Sequence, residues 1–352
     1  LGRYLAINLG LVVERNDTKS KGEIQQAVVA LARESTERSA DGTTWWDETI
    51  EQSRQHAVQV SGELRGSIRE SIEVIGNDIL NRRRALGLPI DDIDGAELAK
   101  QALRYLYRIL FLLFAEASPE LEILPTGSPE YDEGYGLARL RELVLDPPVT
   151  HAARNGTHLY ESLQLLFKLV DKGHNPEAES AEGYNSDATE PGLSFRNLSA
   201  DLFLPSATAL IDEVKLSNEA LNKVLENLLL SKVKSGKDRG FISYATLGVT
   251  ELGQVYEGLM SFTGFIAQED LYEVAPEGKA DKGSWMLPVS RANDVPADSF
   301  VMHEVESGGG FRKERRVHPR GSFVFRQSSR DRERSASFYT PQVLTNFTVR
   351  QG

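Results

Sequence analysis

Apolar residues recur every three or four positions through the first part of the chain, the period of one helix face. Between about residues 21 and 86 charged residues dominate, and Ile24, Val28, Val29, Leu31, then Ile68, Ile72, Ile75 and Leu80 supply the apolar stripe. Three amphipathic helices are expected. Residues 39–44 (SADGTT) interrupt the pattern with a turn, and residues 87–94 (GLPIDDID) make a second break around Pro89. Asp94 then precedes Gly95-Ala96-Glu97, where a side-chain oxygen can satisfy an unpaired amide and an early carboxylate suits the helix dipole. Leu98, Leu103, Leu106, Ile109, Leu110 and Leu113 follow in helical register, so this stretch is predicted to be the central core helix. Shorter helices are expected around 137–143 and from about 157 to 170. Ser217 caps a further register (Leu221, Val224, Leu225, Leu228, Leu229), and Thr250 precedes another (Leu252, Val255, Tyr256, Leu259, Met260).

Beyond Met260 the texture changes to short β-type runs at 285–289, 300–305 and 322–326, separated by Gly and Pro clusters such as 307–310 (SGGG). Residues 172–191 are polar and turn-rich, and a mobile excursion is expected there. The resulting fold class is mainly α, a multi-helix bundle with a small β-hairpin or sheet insert near the C-terminal end. The domain reading is helical over 1–262, β-rich and basic over 263–333, with a new element opening at 334–352.

Composition narrows the function classes. The 352 residues hold 40 Lys+Arg against 52 Asp+Glu, a formal charge of −12, which argues against a nucleic-acid clamp spread over the whole surface. There is no cysteine, so a disulfide scaffold, a thiolate metal site and a cysteine nucleophile are excluded together, and a cytoplasmic location is expected. No stretch reaches the ~20 apolar residues that span a bilayer, since residues 105–117 are interrupted by Arg108 and Glu116. The first residue is Leu1 and the last ones run on in helical spacing, so the chain is expected to be part of a longer polypeptide.

Charge is unevenly spread. Residues 311–334 hold nine basic side chains (Arg312, Lys313, Arg315, Arg316, Arg320, Arg326, Arg330, Arg332, Arg334) and three acidic ones, a surplus of six that leaves −18 for the remainder. Such a block can neutralise several phosphates and release their counterions, or it can dock on the acidic helices of its own chain. Asp212-Glu213-Val214-Lys215, with Asp201 upstream, has the Glu-x-Lys spacing by which some nucleases hold a divalent metal and position a lysine beside the attacking water. It lacks a strand to carry it and reads as a loop entering the Ser217 helix. Asp146-Pro147-Pro148-Val149 has valine where a flipped base would need a stacking ring, and reads as a helix-ending turn. The six histidines show no metal-ligand clustering, and no Ser/His/Asp set can be assembled by spacing.

Several strings together resemble one family. Residues 103–117 (LRYLYRILFLLFAEA), then Leu124-Pro125 and Gly134-Tyr135-Gly136-Leu137, are similar to the helical N-terminal region of large adenine-specific DNA methyltransferases. These are the enzymes of Eco57I-like restriction-modification systems and of the BREX and DISARM phage-defence systems. Lys215-Leu216-Ser217-Asn218, residues 240–244 (GFISY) and residues 251–259 (ELGQVYEGL) continue the resemblance in order. Residues 334–341 (RSASFYTP) resemble the string that opens the methyltransferase domain, whose Tyr-Thr-Pro element helps hold the methionine end of S-adenosylmethionine.

The resemblance implies that Tyr339, Thr340 and Pro341 contact the cofactor and that a Rossmann-like α/β domain follows. The family's glycine-containing cofactor loop and its Asn-Pro-Pro-Tyr/Phe element are absent from the sequence, so the chain alone is expected to be inactive. The implied partners are double-stranded DNA, gripped through Arg312, Lys313, Arg315, Arg316, Arg320, Arg326 and Arg330, and other subunits of a defence complex, without a membrane. The alternatives are a non-catalytic module that docks partner subunits through its acidic helices, and a metal-dependent nuclease built on Asp201, Glu213 and Lys215.

Overall fold

The structure is a computed structural model; it describes residues 9–15, 23–38, 42, 44–174, 193–231, 241–242, 244, 253, 255, 259, 262–280, 284–307 and 310–327. The chain divides into two compact units, Leu1–Val60 and Ser61–Gly352. In the first unit α1 (Leu9–Arg15) and α2 (Glu23–Leu31) are followed by a 3-10 turn, Arg33–Thr36. Ala27 and Ala30 are buried, and the Ser35 hydroxyl donates to the Val29 carbonyl. Thr44 and Asp47 then make a reciprocal cap: Asp47 N–H donates to Thr44 Oγ1 at 3.2 Å and Thr44 N–H donates to Asp47 Oδ2 at 2.9 Å. This opens α3 (Trp45–Ala85).

Where the periodicity predicts three helices between 21 and 86, the chain forms α2, the 3-10 turn and one helix of 41 residues. No proline occurs from 45 to 85, and each glycine there costs a helix interior only ~1 kcal/mol against alanine. A continuous helix is therefore tolerated.

In the second unit Leu64, Ile68, Ile72, Ile75 and Ile79 of α3 are fully buried. The central helix α4 (Gly95–Glu116) starts as expected, with Asp94 Oδ1 accepting from Ala96 N–H at 2.9 Å. Its interrupting charge, Arg108, is buried rather than exposed. Nε donates to the Leu202 carbonyl at 2.8 Å, an Nη to the Leu204 carbonyl at 2.9 Å, and the guanidinium faces the rings of Phe167 and Phe203. Further helices follow: α5 (Pro129–Gly134), α6 (Leu140–Leu145), α7 (His151–Asn155), α8 (His158–Lys172), α9 (Ala209–Val214) and α10 (Asn218–Leu229). Ser217 caps α10, its Oγ accepting from Ala220 N–H at 3.1 Å. The Ser217 hydroxyl and amide both donate to Asp78 of α3, at 2.8 and 2.9 Å. Most of the register behind Thr250 lies outside the described residues, as does most of the 172–191 excursion; Val255 and Leu259 are helical and buried.

Among the described residues the strands lie near the C-terminal end and pair antiparallel. They are β1 (Phe262–Ile266), β2 (Leu271–Val274), β3 (Trp285–Pro288), β4 (Met302–Ser307), β5 (Gly310–Arg315), β6 (Val317–His318) and β7 (Phe323–Gln327). β1 pairs with β7, β2 lies between β3 and β6, and β4 with β5 forms a hairpin. The fold is thus mostly helical with a few small antiparallel strands, as the texture predicts. Among the described residues no helix is long and apolar enough to cross a membrane.

Two close approaches lock these strands to the helices. A Cβ on Gly95, at the start of α4, would lie 2.6 Å from the Phe265 Cα, and one on Gly264 would lie 2.5 Å from the Gly95 carbonyl oxygen. Only a pair of glycines lets backbone meet backbone so closely. On the other side the Phe323 ring presses on Gly76 of α3, where a Cβ would come within 2.3 Å of it.

Candidate functional site

β7 has β1 on one edge and α3 on the other. Asn77 Nδ2 donates to the Phe323 carbonyl at 3.0 Å, Phe323 N–H donates to Asn77 Oδ1 at 2.8 Å, and Phe325 N–H donates to Glu73 Oε1 at 3.1 Å. Four residues of helix rise about 6 Å and two residues of strand about 6.6 Å. Side chains at i and i+4 of α3 therefore match the edge amides at i and i+2 of β7, and close an edge that would otherwise be open.

Beside this seam is a charged cluster around Glu273 of β2, which is fully buried. Arg69 of α3 donates to Glu273 Oε1 at 2.9 Å, Ser284 Oγ donates to the same oxygen at 2.7 Å, and Arg316 lies 3.2 Å from Oε2. Arg316 also pairs with Glu73. Burial alone would raise the Glu273 carboxyl; His318, Arg69, Arg316 and Ser284 outweigh it and bring it down from 4.5 to about 2. His318 Nε2 stands 3.9 Å from Glu273 Oε2, too far for a hydrogen bond, and among the described residues neither of these buried atoms has a hydrogen-bond partner.

A cleft of about 870 Å³ opens along the same face of α3, walled by Arg69, Glu73, Asn77 and Arg84 on the helix and by residues 316–322 opposite, with His303 also lining it. Its far wall is a fixed turn. Gly321 has φ +78°, the value demanded at the third position of a type II turn, Gly321 N–H donates to the Ala267 carbonyl at 2.7 Å, and Ser322 N–H donates to the Pro319 carbonyl at 3.0 Å. Arg84 reaches across to the Gly321 carbonyl and donates to Asn81 Oδ1 at 2.9 Å.

The residues of the basic block fall into different environments. Arg312 and Lys313 are exposed on β5, Arg312 paired with Glu314. Arg315 is exposed and lies over the Phe300 ring, 3.9 Å from its centroid. Arg316 is held by Glu73 and Glu273, and Arg326 faces the Phe265 ring with its Nε buried. Arg320 is exposed at the turn, its backbone N–H donating to Asp270 Oδ1 at 2.7 Å. Arg330 and the whole 334–352 stretch, with Tyr339, Thr340 and Pro341, lie outside the described residues.

The metal-nuclease set is not brought together around one point. Asp212 Oδ1 accepts from Tyr160 at 2.6 Å, Glu213 pairs with Arg83, Lys215 donates to Glu161 at 2.7 Å, and Asp201 sits in a separate 3-10 turn. Among the described residues no group of three His, Asp or Glu could hold a metal ion. Asp146 ends α6 and Val149 of its Pro-Pro turn is 78% exposed. His151 and His158 belong to different helices, the first beside Asn155 and the second beside Asn218.

Sequence reasoning missed Arg69, Glu73, Asn77, Arg84 and Glu273. A trace was there: beside the isoleucine stripe of α3 runs a second, polar register at 69, 70, 73, 77, 81 and 84, which reads as a solvated face until the strands cover it. Comparison of the chain with protein-family models, with curated proteins and with solved structures gives no match.

Proposed function

We propose that this chain is the helical N-terminal module of an S-adenosylmethionine-dependent DNA adenine N6-methyltransferase of a restriction-modification or phage-defence system, and that it grips the duplex by its phosphates. The observation that carries the reading is the ordered run of family-like strings from residues 103–117 to the closing Tyr339-Thr340-Pro341. The exposed Arg312 and Lys313 on β5 and Arg320 on the neighbouring turn add support, because cations held on ordered backbone can meet a phosphate row with little loss of freedom. S-adenosylmethionine supplies the methyl group in that reaction. The described part of the chain does none of the chemistry; it braces and binds.

The test is duplex binding by the chain across a salt series, read by fluorescence anisotropy. Arg312→Ala with Lys313→Ala should weaken binding at every salt concentration and flatten the log–log salt slope by about 0.9 for each phosphate that is no longer neutralised. Unchanged affinity and slope in the double variant would remove the phosphate role. A second reading, docking of a partner subunit, is favoured by Leu145 at 63% and Val149 at 78% exposure at the end of α6. It gains if the chain ignores DNA yet binds the methyltransferase domain in calorimetry.

A further inference from the structure

We propose that the cleft between α3 and the 316–322 turn is a binding site for a phosphate group, presented either as the monoester of a nucleotide or as the diester of a nucleic-acid strand. The inference stands on the geometry of the cleft and does not depend on the methyltransferase reading. Glu73 and the buried Glu273 occupy Arg316 and Arg69, so these two guanidiniums are fixed in place and neutralised. Among the described residues Arg84 donates only to uncharged acceptors, the Gly321 carbonyl and Asn81 Oδ1. Arg320 has no side-chain partner among the described residues, and Asp270 near it is engaged with the Arg320 backbone amide. Against these two uncompensated cations the lining offers one further carboxylate, Glu70. The lining itself, with Arg69, Arg84, Arg316 and Arg320 against Glu70 and Glu73, thus carries a surplus of two positive charges before its histidines are counted, and Glu273 and Asp270, which lie outside the lining, offset it.

Two further features point to an occupant. His318 is buried, lines the cleft, and presents an Nε2 that makes no hydrogen bond among the described residues, the equally unbonded Glu273 Oε2 standing 3.9 Å away; a buried polar atom left so is costly unless something else meets it. A phosphate oxygen is an acceptor that the ring N–H can serve. The arginine donors, in addition, are prearranged: one is tied to a turn whose glycine leaves room for it, since a Cβ at Gly321 would lie 2.9 Å from an Arg84 Nη. Arginines fixed in advance lose little entropy on meeting a planar or tetrahedral oxyanion. The volume of about 870 Å³ admits a whole mononucleotide as well as a bare phosphate.

Isothermal titration of the whole chain with inorganic phosphate, a 5′-mononucleotide, the matching nucleoside and a short thymidylate strand tests the site. Phosphate-bearing probes should bind and the nucleoside should not. Arg320→Ala should weaken them about tenfold, the loss of one charged hydrogen bond, with partial recovery in Arg320→Lys. Binding of phosphate and mononucleotide but not of the strand identifies the monoester as ligand; binding of the strand alone identifies the diester. If all four probes behave alike, or if Arg320→Ala changes nothing, the proposal is wrong. The Arg312→Ala, Lys313→Ala double variant keeps the two ideas apart: it should spare the mononucleotide whatever it does to duplex binding.

Discussion

Asn77 shows how much one side chain can decide at this helix–strand seam. Its amide supplies both partners of Phe323, whose ring is fully buried, so Asn77→Leu would leave an N–H and a C=O without partners. Each such group costs about 1–3 kcal/mol, and the variant should lose about 2–5 kcal/mol in urea denaturation. A variant as stable as the parent would mean that water or another group replaces the amide. Nothing in the sequence marks Asn77 out from Asn81 one turn later; both are polar positions on a helix. The cap residues are different, because Asp94 and Ser217 act on amides two or three positions away and are legible in the linear chain.

Between elements, the meeting of α4 with β1 depends on absent side chains. Gly264→Ala would set a methyl 2.5 Å from the Gly95 carbonyl oxygen and 2.7 Å from the Phe323 ring, so α4 and β1 must separate. A loss of about 1–3 kcal/mol is expected, while Gly134→Ala at the exposed end of α5, where nothing lies within 4 Å, should be near neutral. Equal melting temperatures for the two variants would refute the close approach. The helices themselves are readable from periodicity, α4, α8 and α10 above all. The long α3 is not, because a sequence break between amphipathic stretches looks the same whether or not the helix continues through it. β1, β2, β5 and β6 escape notice as well: β5, for one, is GFRKER, with no apolar alternation to betray it.

For the whole molecule the buried ion cluster predicts sensitivity to acid. Glu273 has its pKa lowered from 4.5 to about 2, so its contribution is present above about pH 4.5 and is lost as the pH falls toward 2. A shift of that size corresponds to roughly 3 kcal/mol at neutral pH. Glu273→Gln should therefore lower stability at pH 7 and flatten its dependence between pH 4.5 and 2.5, measured by denaturation midpoints. A mutant curve parallel to that of the parent would show that the cluster does not join helix to strands. Asp78 works in the opposite sense. Its burial raises its pKa despite the two bonds from Ser217, so its share of stability is greatest at low pH and declines as the carboxyl ionises.

What the linear chain determined was local: where helices begin and end, that strands gather near the C-terminal end, and that cations concentrate in one block. These follow from caps, breaks and periods that act within a few residues of each other. Which of the cations remain available was decided only by tertiary structure. Arg316 stands two positions from Glu314 and yet spends its charge on Glu73 and Glu273, 243 and 43 positions earlier, while Arg84 crosses to a turn 237 positions later. A charge has a sign in the sequence, but its partner and its solvation exist only once the strands have folded back on α3.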